Sequence, residues 1–182
     1  MESRLHKKYV SEVVPALKEK LGYKNIMSVP KVVKVSINVG INSRNTDSGL
    51  LDNVENNLRR ITGQKPIRTK SKNAISAFKV KENMVVGVVV TLRGQKMYDF
   101  LDKLINVSLP RIRDFRGVSS KVIDKQGNMS IGFKEHIVFP EIRSDEVERI
   151  HGMQVNITTN AKTREAGEEL FRLLGFPMQK KS

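Results

Sequence analysis

The chain has 182 residues, no cysteine, and 33 Lys and Arg against 19 Asp and Glu, for a formal charge of +14. That length suits one domain with its own core, and the missing cysteines exclude a disulfide framework, a thiolate nucleophile and a cysteine zinc site. The positive excess makes a polyanion the expected partner, nucleic acid before a membrane, because the cations fall in loops and strands rather than along one face of an amphipathic helix.

Leu5, Tyr9, Val13, Leu17 and Leu21 recur at helical spacing among charged residues, and Gly22 follows as a stop. The first element is therefore an amphipathic helix. After Pro30 the period changes to two: Val33, Val35, Ile37 and Val39 alternate with Val32, Lys34, Ser36 and Asn38, which predicts a strand with one apolar and one largely polar face. Gly40 to Gly49 reads as a polar connection. Leu51, Val54, Leu58 and Ile61 predict a second helix, capped by Asp47 or Ser48 and ended by Gly63 in a left-handed conformation.

The next stretch organises the rest. Between Asn56 and Lys81 there is no acidic residue, while Arg59, Arg60, Lys65, Arg68, Lys70, Lys72, Lys79 and Lys81 are all cationic. Gln64, Lys65 and Pro66 turn the chain, and from Ile67 to Asn73 the text is polar and basic with little apolar patterning, which predicts a mobile basic loop. Phe78 resumes a strand-like pattern. The same composition would suit a solvated loop with no partner.

Met84 to Arg93 predicts a strand, with Val86, Val88, Val90 and Leu92 on one face and Val85, Gly87, Val89, Thr91 and Arg93 on the other. Met97, Phe100, Leu101, Leu104 and Ile105 form a third helix with Pro110 beyond its end. Residues 124–128, DKQGN, read as a hairpin turn between two strands, the second carrying Met129, Ile131 and Phe133. A further strand runs through Met153, Val155 and Ile157. The last helix starts near Thr163, carries Leu170, Phe171, Leu173 and Leu174, and stops at Gly175 before Pro177.

This pattern gives an α+β fold, a largely antiparallel sheet with helices packed on one face. The other face is left open, and Lys34, Ser36, Asn38, Thr91 and Arg93 populate it. Hydroxyls, amides and cations on a stiff pleated surface suit phosphates, ribose 2′-hydroxyls and base edges, although an ordinary solvated face uses the same residue types. Aromatic residues interleave poorly with the charges, so structured RNA read by shape fits better than single strands read by stacking.

Catalysis finds no foothold. His6, His136 and His151 lie in separate segments without metal spacing and read as surface or packing residues; GQKP is not a phosphate-binding loop; and Asp99 with Asp102 reads as a pair of solvated helix charges. The N-terminus lacks the apolar run of a signal peptide, and no stretch approaches a membrane span, so a cytoplasmic location is expected.

Taken in order, SVPKV, INVG, LRRITGQKPIRTKSKNAISAFK, VTLRGQKMYDFLDKL, LPRIRDFRG, GNMSIGFKEHIVFPEI and NITTNAK resemble the bacterial large-subunit ribosomal protein family that carries 5S ribosomal RNA, the fifth in the large-subunit numbering. The resemblance runs from the first helix to Phe176. It implies a structural protein without catalysis or cofactor, which attaches 5S rRNA to the central protuberance alongside 23S rRNA and neighbouring large-subunit proteins. Carried over residue by residue, its 5S contacts fall on Asn38, Gln64, Phe78 and Thr91, with Lys34, Ser36, Lys65 and Arg93 around them. The family's basic loop contacts P-site tRNA, which here implies Lys70, Ser71, Lys72, Asn73 and Ala74. A contact with a small-subunit head protein across the subunit interface is implied for the segment 111–146, beginning with Arg111, Arg113, Asp114, Phe115 and Arg116.

The expected organisation is one domain over residues 1–182, with a protruding loop at about 68–77 and a protruding segment at about 111–146. Two other classes stay open on the residues alone. An RNA-processing enzyme would need turnover, and a general nucleic-acid chaperone would ignore RNA shape.

Overall fold

In the computed structural model, which describes residues 3–41, 48–143 and 149–179, the apolar spacing of the first segment dictates its helix. Leu5, Tyr9, Val13 and Leu17 stand four apart and are all buried. An α-helix turns about 100° per residue, so a strict four-residue spacing drifts about 40° per step away from one face. The chain corrects the drift with a wide turn. Helix α1 (Arg4–Lys8) passes through a π-turn at Tyr9–Val13 into α2 (Val14–Leu21), which Gly22 ends at φ 66°. Pro15, which has no N–H to give, stands at the start of α2, and Ser11 Oγ donates to the Lys7 carbonyl at 2.9 Å.

Five strands follow in chain order: β1 (Val32–Gly40), β2 (Ile67–Lys70), β3 (Val85–Leu92), β4 (Met129–Phe133) and β5 (Met153–Thr159). They form an antiparallel sheet in the order β2-β3-β1-β5-β4, and with the helices make an α+β fold. The remaining helices are α3 (Ser48–Thr62), α4 (Gly94–Lys103) and α5 (Arg164–Leu174). The chain divides into two compact units. The first comprises residues 1–35, 93–131 and 156–182, and the second residues 36–92 and 132–155.

Within the first unit, α1 and the last turn of α4 are joined by Arg4, whose guanidinium grips both carboxylate oxygens of Asp102 at 2.8 and 3.2 Å. Asp102 also accepts from Asn106 at 2.6 Å. Met97, Phe100, Leu101 and Leu104 are buried as expected. Pro110, however, does not lie beyond the helix: α4 continues through a π-turn at Leu104–Ser108 into a 3₁₀ turn, Leu109–Arg111, that contains it. Pro110, which has no N–H to give, stands in the first positions of that 3₁₀ turn.

The 124–128 hairpin turn forms, but with one strand rather than two. Asp124 Oδ1 accepts from the backbone of Gln126 and Asn128, both at 2.8 Å, and the arm before it is a 3₁₀ turn, Ser120–Val122, joined to β4 by a single bridge, Ile123 with Met129. Asn128 Oδ1 accepts from the Thr159 N–H at 2.9 Å and Thr159 Oγ1 donates to the Gly127 carbonyl at 2.9 Å. These bonds hold the turn so close to α5 that a Cβ on Gly127 would stand 3.1 Å from the Cα of Gly167. Thr163 caps α5 through its hydroxyl, and Gly175 ends it at φ 104°.

Within the second unit, Leu51, Val54, Leu58 and Ile61 of α3 are buried, as are Val88, Val90 and Leu92 of β3. Gly63 follows α3 at φ 64°. The expected cap at Asp47, and the side chain of Ser48, lie outside the described residues. On β1 the alternation holds for Val35, Ile37 and Val39, which are buried, but reverses at its start, where Val32 is buried and Val33 exposed.

Candidate nucleic-acid interface

The candidate interface comprises the end of α3, the less buried face of β1 and β3, and the basic stretch after Gly63. At the helix end, Thr62 Oγ1 donates to the Leu58 carbonyl at 2.7 Å and accepts from the Gln64 N–H at 3.3 Å. The chain is thereby turned so that Gln64 Nε2 donates to the Thr91 carbonyl at 3.0 Å. A carbonyl can only accept, so the amide nitrogen must be the atom facing Thr91, and Oε1 is the acceptor end of the same carboxamide.

Ser36, Asn38 and Gln64 are half-buried, and Thr91 and Lys65 are exposed. Ser36 and Asn38 alternate with buried Val35, Ile37 and Val39, as Thr91 does with Val90 and Leu92. This is the face that the polar alternation selects in the sequence. Lys34 precedes Ser36 on β1 and is also half-buried, while exposed Arg93 stands just before α4; both belong to the first unit.

The stretch expected to be a structureless loop is largely ordered by backbone bonds. Ile67 to Lys70 is an edge strand, antiparallel to β3, with Ile67 opposite Val89, Arg68 opposite Val88 and Thr69 opposite Gly87. Gly87 permits this close approach, since a Cβ there would lie 2.7 Å from the Val39 carbonyl oxygen and 3.1 Å from Thr69 Oγ1. Beyond a register shift at Thr69/Lys70, the Ser71 N–H donates to Met84 O at 2.8 Å and the Asn83 N–H to Ser71 O at 3.0 Å. Ser71 Oγ closes on the Asn73 carbonyl at 2.6 Å. A second closure joins Ile75 and Val80 around a 3₁₀ turn. Phe78 therefore does not open a strand: it ends that turn, with Lys79 following at φ 54°, and is 69% exposed. Lys70, Lys72, Asn73 and Ala74 are exposed and Ser71 half-buried.

One cation of the stretch is already engaged. Arg68 donates to Glu55 Oε2 at 2.9 Å and to Asp52 Oδ1 at 2.5 Å, both on α3. The hydrogen bonds to Glu55 and Asp52 raise its pKa further above the ordinary arginine value. Sequence reasoning missed this pairing because the acids stand three apart on a helix 13 and 16 residues upstream.

It missed a second contact too. The rings of His136 and His151 stack in parallel, centroids 3.9 Å apart and 3° from coplanar orientation, and the His151 N–H donates to His136 Nδ1 at 3.3 Å. Burial, followed by the neighbouring His136, pushes the His151 pKa down to about 4; burial also lowers that of His136. They are packing residues, as the sequence implied, though paired. Asp102, engaged by Arg4, is likewise no solvated charge.

Arg111, Arg113, Asp114 and Arg116 are exposed and Phe115 is half-buried, in a segment that turns at Asp114 (φ 55°) and Gly117 (φ 94°). It is tied to the C-terminal residues by the Val118 N–H on Pro177 O at 2.7 Å. Of the remaining stretch to Glu146, residues 144–146 lie outside the described residues.

Residues 25–81 match the family described as Ribosomal protein L5, and residues 85–178 the ribosomal L5P family C-terminus. Among curated relatives, the large ribosomal subunit protein uL5 of Natranaerobius thermophilus is 53% identical over 96% of this chain and 98% of its own. That of Clostridium tetani is 52% identical over 97% and 98%, and that of Clostridium kluyveri 50% over the full length of both.

Proposed function

Because the chain belongs to the L5 family of large-subunit ribosomal proteins, we propose that it binds 5S rRNA through the face carrying Ser36, Asn38, Gln64 and Thr91 and attaches that RNA to the central protuberance. It is a structural component of the large ribosomal subunit in the cytoplasm, not an enzyme. The observation that carries the 5S reading is the Gln64–Thr91 hydrogen bond, which fixes the Gln64 carboxamide on a polar face beside a stretch with no acidic residue. A fixed carboxamide suits a ribose 2′-hydroxyl or a base edge, and Lys65 in the same unit suits phosphates, as Lys34 and Arg93 do in the first unit. Exposed Phe78 adds an apolar surface for a base or sugar.

In the same reading, Lys70, Ser71, Lys72, Asn73 and Ala74 contact P-site tRNA. Arg111, Arg113, Asp114, Phe115 and Arg116 face a small-subunit head protein, and other surfaces meet 23S rRNA and neighbouring large-subunit proteins. The tip's exposed lysines support the tRNA assignment, since a contact made through phosphates alone can form and release with each tRNA.

The test is a titration of the purified protein with 5S rRNA and with an unrelated structured RNA of equal length across a salt series. Phosphate contacts give both RNAs a falling log affinity against log salt; a specific site adds an offset that persists at high salt. Coincident lines would remove the 5S assignment.

A further inference from the structure

Arg68 sits on the opposite side of the sheet from the proposed RNA face. In an antiparallel ladder, directly opposed residues share a face. Arg68 opposes Val88, which is fully buried on the side where α3 packs, while Ile67 and Thr69 oppose Val89 and Gly87 on the other. On that helix side the guanidinium is held between Asp52 and Glu55, a group carrying two negative charges against one positive.

We propose that Asp52 and Glu55 are specificity-determining residues, which withhold Arg68 from polyanions and so confine RNA to the opposite face. An edge strand with Arg68 unpaired would offer phosphates a cation on the helix side, whereas Lys70, beyond the register shift, opposes Val85 on the other. Any RNA could use such a footing, because phosphate contacts carry no sequence or shape information. The cognate RNA, seated by Asn38, Gln64 and Thr91, gains nothing from it. The clamp therefore acts against non-cognate binding more than it acts for cognate binding. Its contribution to stability is small, since Arg68 and Asp52 are 39% and 62% exposed.

This inference rests on the 5S reading, and the two fail differently. The variants are Asp52→Asn with Glu55→Gln, and the same pair with Arg68→Gln. Each is checked for an unchanged thermal midpoint and titrated with 5S rRNA and the unrelated RNA between 50 and 200 mM salt. The double variant is expected to bind the unrelated RNA more tightly, with a salt slope steeper by about 0.7 to 0.9, the signature of one added phosphate contact and about a threefold change in affinity over that range. Its 5S affinity stays within twofold, and adding Arg68→Gln returns the unrelated RNA to the wild-type line. An increase that survives Arg68→Gln would show the carboxylates repelling RNA directly and overturn the proposal, as would equal shifts for both RNAs or no shift for either. Absence of any wild-type offset between the two RNAs instead sinks the 5S reading on which the proposal stands.

Discussion

The carboxamide of Gln64 donates a 3.0 Å hydrogen bond to the backbone carbonyl of Thr91. Two residues 27 apart in sequence, assigned to one RNA contact by different lines of reasoning, are thus one structural unit. Substitutions at the two positions separate its parts. Thr91→Ala keeps the carbonyl that Gln64 grips and removes only the hydroxyl, while Gln64→Glu puts a second acceptor against that carbonyl and adds a negative charge.

Thr91→Ala and Asn38→Ala are each expected to weaken 5S rRNA binding by about 1 to 3 kcal/mol, the range for losing a hydrogen bond that nothing replaces. Gln64→Glu should cost at least as much. Filter binding or calorimetry at fixed salt measures all three; unchanged affinity in all of them would take the sheet face out of the site.

Lys70→Ala combined with Lys72→Ala should leave 5S rRNA binding nearly intact and shorten the residence of tRNA in the P site of ribosomes carrying the variant. Both side chains are exposed on an arm held by its own backbone bonds, so the fold loses little. A tRNA dissociation assay gives the rate, and a large loss of 5S binding would mean that the arm serves the other RNA.

Gly87→Ala is expected to destabilise the protein by about 1 to 3 kcal/mol, as overpacking does where backbone must yield. The added methyl would meet the Val39 carbonyl oxygen at 2.7 Å and Thr69 Oγ1 at 3.1 Å. The denaturant midpoint should fall, and 5S rRNA affinity with it, because β2 and β1 both approach β3 at this residue. Val88→Ala, a buried position on the other face, would lower the midpoint by a different route and serves as the comparison.

The stacked histidines predict an acid-sensitive fold. Burial holds His151 neutral down to about pH 4, and His136 is shifted in the same direction. An unfolded chain takes up protons at both from about pH 6.5 downward, so it binds more protons than the native state between those values and stability falls as the pH drops through that window. Asn57, 3.5 Å from His151 Nε2, bears no charge and cannot offset this. Chemical denaturation at pH 7 and pH 5 should show a loss that shrinks in His151→Gln. An equal loss in the variant would place the acid sensitivity elsewhere.

Periodicity revealed the helices and most strands, because burial on one face is written into the residues themselves. By the same logic it placed Asn38 and Thr91 on the less buried face, as polar neighbours of buried residues. The Gln64–Thr91 bond left no mark in the pattern, since the sequence does not show that strand to be adjacent. β2 was hidden for a related reason. Ile67 and Thr69 are suited to a strand, but an edge strand has no buried side-chain face to pattern, and its partner, β3, lies beyond the intervening arm. The Arg68 clamp and the histidine stack are long-range pairings of single residues, which leave no period at all.

The wide turn at Tyr9–Val13 makes the first helix a place where the chain can change length without changing face. Leu5 and Leu17 stand twelve residues apart, which in an uninterrupted α-helix would set them about 120° apart around the axis; eleven residues would bring them within about 20°. Removing one residue from the wide turn would therefore close it to an ordinary one and leave both flanks facing the core as before. A one-residue length difference between relatives is best accommodated there, and an alignment that puts such a gap on either side of the turn would misassign the core positions of everything up to it.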